Sequence, residues 1–285
     1  MTPGIGPALL AMICFGAGDL IYKRAAAAGI EARHFIMLQA WFFCPSMVLY
    51  ALVRQKLSFE PAALWGALAG LVMFFAFYNF SRSLRSGSIS TNAPIFRLNF
   101  TLTAGLAIWL LGEPLTATKF AGLALALIAV WTLTREGRKS SSTTAAPNYG
   151  SLTRVLLATV AAGIGNLLYK VGLLAGATPE TLLTAQALVF TSLATLVVFW
   201  SDGRIRPPAA GVRYGAPVGL TQLVAFIALL DGLAIGPASV LIPVAQLGFV
   251  FTAILGRVLF GEALSLRKRC GLVIAAAALV TLAFS

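Results

Sequence analysis

The amino-acid sequence predicts an all-α membrane protein with ten transmembrane helices arranged as two inverted five-helix repeats. Three observations lead to this fold class. The 285 residues are 59% hydrophobic, with a mean hydropathy of +0.90. Only 11% of them are charged, against about 25% in a typical soluble domain. Finally, one octamer occurs twice in the chain, once in each half, and each half carries the same succession of apolar runs.

The repeated octamer defines the duplication. Gly16–Lys23 recurs as Gly163–Lys170, 147 positions later, and after a slip of two residues the offset becomes 149. Because the matched residues are mostly glycine, proline and polar, chance similarity between apolar segments does not explain them. Further matched pairs are Gln39 with Gln186, Gly66 with Gly215, Gly70 with Gly219, Phe77 with Phe226, Pro94 with Pro243, and Glu113 with Glu262.

Each half contains five apolar runs that approach the roughly 20 residues needed to cross a bilayer. The fifth and tenth runs are the shortest. A linker rich in serine, threonine and charge, 135–151, separates a first repeat, 1–134, from a second repeat, 152–285. The predicted spans are 4–22, 35–53, 62–80, 89–111 and 115–134, then 152–173, 181–200, 212–230, 238–260 and 266–284.

The distribution of lysine and arginine predicts the orientation. Sixteen of them flank or lie in the loops after the odd-numbered spans, and four lie on the other side (Arg54, Lys56, Lys119 and Lys170). Basic loops stay in the cytoplasm, so we expect a multi-pass protein of the cell inner membrane with both termini periplasmic. An odd number of spans per half makes the halves inverted, which is a transporter architecture. The net charge of +12 is scattered between apolar runs, so no nucleic-acid partner is predicted.

Enzyme chemistry is not predicted. The single histidine, His34, cannot form a metal cluster or a catalytic triad with the residues available. The sequence contains no glycine-rich loop for ATP phosphates, and Cys14, Cys44 and Cys270 have no metal or disulfide spacing. We therefore expect no cofactor and no metal. The first apolar run lacks a preceding basic residue and a cleavage site, so we interpret it as a retained helix.

Arg97 lies near the middle of the fourth span, on one helical face with Pro94 and Thr101. A charge at that depth costs roughly 2.5–3.5 kcal/mol on insertion scales, so it should face the interior of the bundle. Three interpretations stay open: contact with a substrate carboxylate or phosphate, a structural pair with Asp19, or snorkelling. The counterpart in the second half is the neutral Gln246. We include Arg97, Gln246 and Thr101 among the candidate substrate-binding residues.

Asp19 and Lys23 stand one helical turn apart near the end of the first span. They form either a local ion pair or a coupling site in which Asp19 takes up a proton. The counterpart of Asp19 is Asn166, so the carboxylate occurs once. Tyr22 and Tyr169 either place a hydroxyl at each mouth of a pocket or anchor the chain at the interface. These five residues are candidates for gating or coupling.

Pro94 and Pro243 fall in the first third of the fourth and ninth spans. Each proline removes a helix hydrogen bond and frees the carbonyl four residues earlier, on Ser90 and Ser239. In lipid such a bend faces protein or a wet cavity. The two prolines are either hinges beside a central pocket or packing kinks.

The end of the third span is aromatic, and Phe77, Tyr78 and Asn79 lie there. Gln39 and Gln186 are matched amides inside opposed spans. Aromatic and amide walls suit a small amphipathic ligand, although plain packing and interhelical hydrogen bonds would use the same residues. All five are candidate substrate-binding residues.

Two further matched sets have structural interpretations. Pairs of glycines four residues apart indicate close helix approach, and they are Gly66 with Gly70 and Gly215 with Gly219. Glu113 and Glu262 follow glycines between the last two spans of each half, where carboxylates favour a helix start.

Taken together, the two five-span repeats, the matched prolines and the Gly112–Leu115 and Gly261–Leu264 sequences (Gly-Glu-x-Leu) resemble the EamA-type transporters of the drug/metabolite transporter superfamily. The resemblance covers nearly the whole chain and implies efflux of amino acids or related compounds by alternating access through a central cavity. It also favours Tyr78, Asn79 and Arg97 as cavity residues. Many members keep their termini in the cytoplasm, whereas the charge distribution here predicts the opposite.

We therefore expect a secondary-active exporter of small metabolites, with amino acids or related compounds as the favoured cargo. The partners would be that substrate, the lipid bilayer, and a proton or counter-substrate, in a monomer or weak homodimer. Two alternatives remain. One is uptake or exchange of sugars or nucleotide-type solutes, and the other is a non-transporting scaffold or lipid-flippase subunit.

Overall fold

A computed structural model describes residues 2–58, 60–86, 92, 95–134, 149–248, 250–251 and 266–285. All regular secondary structure in these ranges is helical, as the sequence predicts. In chain order the helices are α1 Ile5–Ala27, α2 Ala32–Arg54, α3 Ala63–Ser86, α4 Asn99–Leu110, α5 Ala117–Thr134, α6 Tyr149–Leu174, α7 Pro179–Asp202, α8 Ala209–Ile235, α9 Ala238–Gln246 and α10 Leu266–Ala283.

Six of these helices (α1, α2, α3, α6, α7 and α8) are long and apolar enough to cross a membrane. Three shorter apolar helical stretches are Ile95–Leu110, Ala117–Thr132 and Arg269–Ala283. The ninth predicted span, 238–260, runs beyond α9 into residues outside the described ranges. Most of the predicted linker lies outside them too, so the count of ten crossings stays a prediction.

The ends of α7 show how local sequence sets the bounds of a helix. Thr178 is the N-cap, and its Oγ1 accepts a hydrogen bond from the Thr181 backbone N–H at 3.2 Å. Pro179 occupies the first helical position, where its missing N–H costs nothing. The helix stops at Gly203, whose φ of 67° lies in the left-handed region that glycine adopts readily.

The matched helices α2 and α7 run antiparallel. At one end of the pair, His34 Nε2 lies 2.7 Å from Asp202 Oδ2. At the other end, Arg54 Nε lies 3.5 Å from Glu180 Oε1. Residue numbers therefore rise along α2 while they fall along α7. This is the relation that inverted halves require.

Glycines bring α3 against α7, where the repeated Gly-x-x-x-Gly spacing predicts a close approach. A methyl group added at Gly66 would lie 2.8 Å from Leu182 Cα, and one at Gly70 would lie 2.6 Å from the Gln186 carbonyl oxygen. Residue numbers rise together in this pair, so α3 and α7 are parallel. The matched glycines of α8 do the same against α2: a methyl group at Gly219 would lie 2.7 Å from the carbonyl oxygen of Gln39.

Contacts between the two halves dominate the packing. Helix α3 packs on α6, α1 packs on α8, and α5 packs on α10. Exchanging each helix for its counterpart in the other half turns the α3–α6 contact into the α8–α1 contact. The halves are therefore interlocked around an approximate twofold relation. Large apolar side chains on the outside, such as Trp109 and Trp200, are exposed, as expected for surfaces that face lipid.

Within the predicted span 89–111, which we expect to bend at Pro94, the described residues show an interruption at Leu98. At Leu98 the chain makes a turn, and α4 begins only at Asn99. The Leu98 N–H bonds to the Ile95 carbonyl at 3.1 Å, an i to i+3 contact. The counterpart of Leu98, Leu247, follows the last residue of α9, and there the Val250 N–H bonds to the Leu247 carbonyl at 2.9 Å.

A specific contact accompanies each interruption. The Asn99 side-chain amide donates to the Phe96 carbonyl at 2.7 Å and so competes with the backbone for that acceptor. In the second half, Gly248 lies directly against Gly16 of α1, where a side chain on either residue would collide with the other backbone. A tight turn within an otherwise helical segment often marks a hinge.

Candidate functional site

Arg97 and Asp19 form an ion pair inside the bundle. Arg97 lies just before α4, and its Nη2 donates to Asp19 Oδ2 of α1. Its Nη1 donates to Gln246 Oε1 at the end of α9, at 2.8 Å. The Arg97 side chain is 13% exposed and that of Asp19 34% exposed. Of the interpretations open from the sequence, the pairing with Asp19 is thus found in this conformation, and snorkelling of Arg97 to a surface is not.

The second-half counterpart of Asp19 makes a different contact, between two neutral amides. Asn166, the counterpart of Asp19, donates from Nδ2 to Asn99 Oδ1 at 3.1 Å, and both side chains are buried. Thr103, one turn after Asn99, donates to the Gly163 carbonyl at 3.1 Å and so connects α4 to α6. Our sequence reasoning selected Asn166 but missed Asn99. An asparagine within an apolar run was the available signal.

The predicted tyrosines and glutamines meet in matched pairs. Tyr22 donates its hydroxyl hydrogen to Gln39 Oε1, and Tyr169 donates to Gln186 Oε1 at 2.9 Å. Tyr169 is fully buried. In each half the hydrogen bond joins the first helix to the second, so the two contacts are equivalent under the exchange of halves.

A cavity lies between α2 and α7, and both glutamines line it. Its envelope measures about 320 Å³, but the space left free between the side chains holds roughly one water molecule. Eight of its nine wall residues are four matched pairs. The walls are Gln39, Ala40, Phe43, Phe77, Gln186, Ala187, Phe190, Thr191 and Phe226.

Aromatic rings make the apolar part of this wall. The Phe226 ring packs edge-on against Phe43 at 6.0 Å between centroids and against Phe15 at 5.4 Å. Phe190 makes an edge contact with Phe77 at 6.2 Å. Of the predicted substrate-binding residues, Phe77, Gln39 and Gln186 therefore line the cavity, whereas the rings of α7 and α8 were not selected from the sequence.

Tyr78, Asn79 and Thr101 are placed elsewhere. The Tyr78 ring stacks on Phe74 at 5.6 Å, while Asn79 Nδ2 donates to the Phe75 carbonyl at 2.9 Å. Both residues thus use partners one turn back on α3, and Thr101 is exposed on α4. None of the three belongs to the cavity wall in this conformation, and their roles stay predictions.

Two predicted gating residues lie wholly or partly outside the described structure: Pro94, and the side chain of Lys23. Pro243 is buried within α9. Lys170, the counterpart of Lys23, donates from Nζ to the carbonyls of Leu233 and Gly236, each at 2.7 Å. It therefore supports the end of α8.

Glu113 reaches across to the other half of the protein. Its carboxylate accepts hydrogen bonds from the backbone N–H groups of Ala238, at 2.7 Å, and Ser239, at 2.9 Å. It also accepts the Ser239 hydroxyl hydrogen. The predicted helix-start carboxylate thus caps α9 instead of the helix that follows it in the chain. Its counterpart, Glu262, is outside the described residues.

The apolar helices, the interlocked halves and the interior polar contacts define a multi-pass membrane protein. Comparison with known proteins identifies the family within this class. A model of the EamA-like transporter family matches the chain twice, over residues 2–135 and 151–284. The chain belongs to this family and is a membrane transporter, which confirms the resemblance noted in the sequence.

A solved structure described as "Crystal structure of protein" has the same fold. It superposes with a TM-score of 0.75 over 96% of this chain and 94% of its own, at 19% sequence identity. Among curated proteins, none matches this sequence.

Proposed function

We propose that this protein is a secondary-active exporter of small amphipathic metabolites, with amino acids or related compounds as cargo, and that it works by alternating access. It would lie in the cell inner membrane with both termini on the periplasmic side. The observation that carries the proposal is the cavity between α2 and α7. Its walls are matched pairs, so a movement that exchanges the environments of the two halves presents equivalent walls to each side of the membrane.

The size and chemistry of the cavity support a gated, amphipathic site. The space now free holds roughly one water molecule, so a metabolite can enter only after the halves move apart. Gln39 and Gln186 supply amide donors and acceptors, and phenylalanine rings supply the apolar wall. The matched hydrogen bonds of Tyr22 and Tyr169 flank this space and could open in turn.

A phosphorylated cargo fits less well. Its charge calls for several interior cations, and in the described part of the cavity wall none of the nine residues is charged. Arg97, the cation found inside the bundle nearby, is already engaged by a carboxylate.

Counterflow in liposomes that contain only the purified protein tests the proposal. Vesicles are loaded with one unlabelled solute and the uptake of its labelled form is measured, across a panel of amino acids, sugars and nucleotides. We expect stimulated exchange of at least one apolar amino acid and none of nucleotides. Exchange of a sugar or nucleotide alone would favour the uptake alternative. No exchange of any solute, together with a stable co-purifying protein, would favour a scaffold.

A further inference from the structure

The two halves differ in charge at the positions of Asp19 and Arg97. In the first half Asp19 is bonded to Arg97. In the second half the residue equivalent to Asp19 is Asn166, and it bonds to the neutral amide of Asn99. Arg97 in turn is bonded to its own neutral counterpart, Gln246. The two counterparts in the second half are therefore uncharged, and each makes its hydrogen bond to a residue of the first half.

The second half carries neutral residues at both counterpart positions, Asn166 and Gln246. Burying two charges incurs a desolvation cost that neutral amides avoid, and the cost is greater in a membrane. A charged pair that is expensive, and that the second half of the duplication replaces with neutral residues, calls for a functional explanation.

The ion pair lies beside the cavity. Tyr22, on the next turn of α1 after Asp19, donates to Gln39 of the cavity wall. On the other side, Phe96 precedes Arg97, and its ring lies 6.1 Å from that of Phe77, another wall residue. The Asp19 side chain is 34% exposed, so the bundle does not enclose it completely.

We propose that the head group of a zwitterionic α-amino acid inserts between Asp19 and Arg97, with its ammonium on the Asp19 carboxylate and its carboxylate on the Arg97 guanidinium. This inference deepens the proposed function and rests on it. In the structure Asp19 and Arg97 neutralise each other, and the zwitterion replaces each partner with its own opposite charge. The apolar side chain of the amino acid then lies toward the phenylalanines of the cavity. A guanidinium is suited to this exchange because its planar donors match a carboxylate.

A proton competes with the substrate at this site. Protonated Asp19 has no negative charge to hold an ammonium, so the affinity for a zwitterion should fall as the pH is lowered. Three neutral polar side chains lie near the pair in the described structure: Tyr22 of α1, Gln222 of α8 beside Gly18, and Gln246 of α9. The side chain of Lys23, one turn after Asp19 on α1, is outside the described residues. The charged residues of α8, Arg213 and Asp231, lie more than two turns away from Gln222 along that helix.

Binding of three matched probes tests the proposal. L-Leucine carries both charges, 3-methylbutylamine carries only the ammonium, and 4-methylpentanoate carries only the carboxylate. A second set built on L-phenylalanine varies the apolar part. Binding to the purified full-length protein in detergent is measured by calorimetry between about pH 5 and 7, where amino acids remain zwitterions. We expect at least one zwitterion to bind more than about tenfold tighter than its two analogues, and to weaken toward low pH.

Substitutions that copy the second half supply the decisive comparison. In the double variant Asp19→Asn/Arg97→Gln, both residues become those of their counterparts, so we expect the protein to fold. Its affinity for the zwitterion should decrease more than about tenfold, and that affinity should no longer depend on pH. Asp19→Asn alone should shift preference toward the acid probe, and Arg97→Gln alone toward the amine. Ser192→Ala, an exposed site on α7 whose hydroxyl bonds within its own helix, is the control and should leave binding unchanged.

The results separate the two proposals. The head-group site is overturned if the double variant binds the zwitterion as tightly as the native protein does. It is also overturned if the native protein binds zwitterion, amine and acid equally. In either case, counterflow of an amino acid would still support transport. If neither zwitterion binds but some other solute shows counterflow, the head-group site is likewise overturned and transport is still supported. Absence of counterflow for every solute overturns the proposed function itself.

Discussion

Arg97 donates a hydrogen bond from Nη1 to the side chain of its own counterpart in the repeat, Gln246 Oε1, over 2.8 Å. Two equivalent positions can touch each other only where the relation between the halves brings them together, so this contact lies on the approximate twofold axis. The matched helices α2 and α7 also meet there. The candidate site is therefore built on the symmetry of the duplication, and the charge of Arg97 and its pairing with Asp19 break that symmetry.

Arg97→Ala should abolish substrate-dependent flux while the protein remains in the membrane. The substitution removes the interior cation and leaves the Asp19 carboxylate without its counter-ion, so we also expect a lower thermal midpoint in detergent. Counterflow in liposomes measures the first effect and thermal unfolding the second. Flux equal to that of the native protein would remove Arg97 from the site.

Gly66→Ala should destabilise the protein by about 1–3 kcal/mol, because the added methyl group would lie 2.8 Å from the backbone of Leu182. Gly105→Ala on α4 is the matched control. No atom outside its own helix lies within 4 Å of the position its methyl group would take, so this change should be neutral or stabilise by about 0.5–1 kcal/mol. Thermal unfolding of both variants in detergent measures this difference in stability. Equal midpoints would contradict the close approach of α3 and α7.

Removal of the Glu113 carboxylate should weaken the start of α9. Glu113→Ala takes away the acceptor of two backbone N–H groups and should cost about 0.5–2 kcal/mol, as the loss of a helix cap does. Glu113→Gln keeps one acceptor oxygen, so its stability should lie between that of Glu113→Ala and that of the native protein. The exposed Glu60→Ala serves as control and should stay within about 0.5 kcal/mol of the native protein. A Glu113→Ala midpoint as high as that of the control would mean that water replaces the cap.

Tyr169→Phe should cost about 1–3 kcal/mol, since it deprives the buried Gln186 Oε1 of the hydroxyl that donates to it. Tyr22→Phe should cost less because Tyr22 is only half-buried. The double variant Tyr169→Phe/Gln186→Leu should recover much of the loss, because neither partner then leaves an unmet polar group. Thermal unfolding of the single and double variants measures these differences in stability. A double variant less stable than Tyr169→Phe would contradict the unmet hydrogen bond as the cause of the loss.

The orientation of the chain can be measured by labelling. In a cysteine-free background, a cysteine in place of Ser285 should react with a membrane-impermeant maleimide in intact cells. A cysteine in place of Ser141, in the predicted linker, should react only after the cells are made permeable. The reverse pattern would place the termini in the cytoplasm and show that the basic residues do not set the topology of this protein.

Much of the candidate site is visible as repetition along the chain. Matched residues such as Tyr22 with Tyr169 and Gln39 with Gln186 stand out because polar side chains are rare in apolar segments. Which of two neighbouring residues lines the cavity depends on the rotation of a helix about its axis, which repetition does not show. Tyr78 follows Phe77 by one residue, about 100° around α3, and packs on Phe74 instead of entering the cavity wall. Local spacing could not decide between these two faces, because both are apolar.

The sequence by itself determined the duplication, the membrane-crossing character of the chain and the identity of equivalent positions, because hydropathy and repetition are properties of the chain order. Tertiary structure decided which of these positions meet. Arg97 contacts Asp19, 78 residues earlier in the same repeat, because α1 packs beside the segment that precedes α4. Glu113 caps a helix 125 residues later, because the two halves interlock. The periodicity of a single helix carries no information about the partner on which it packs.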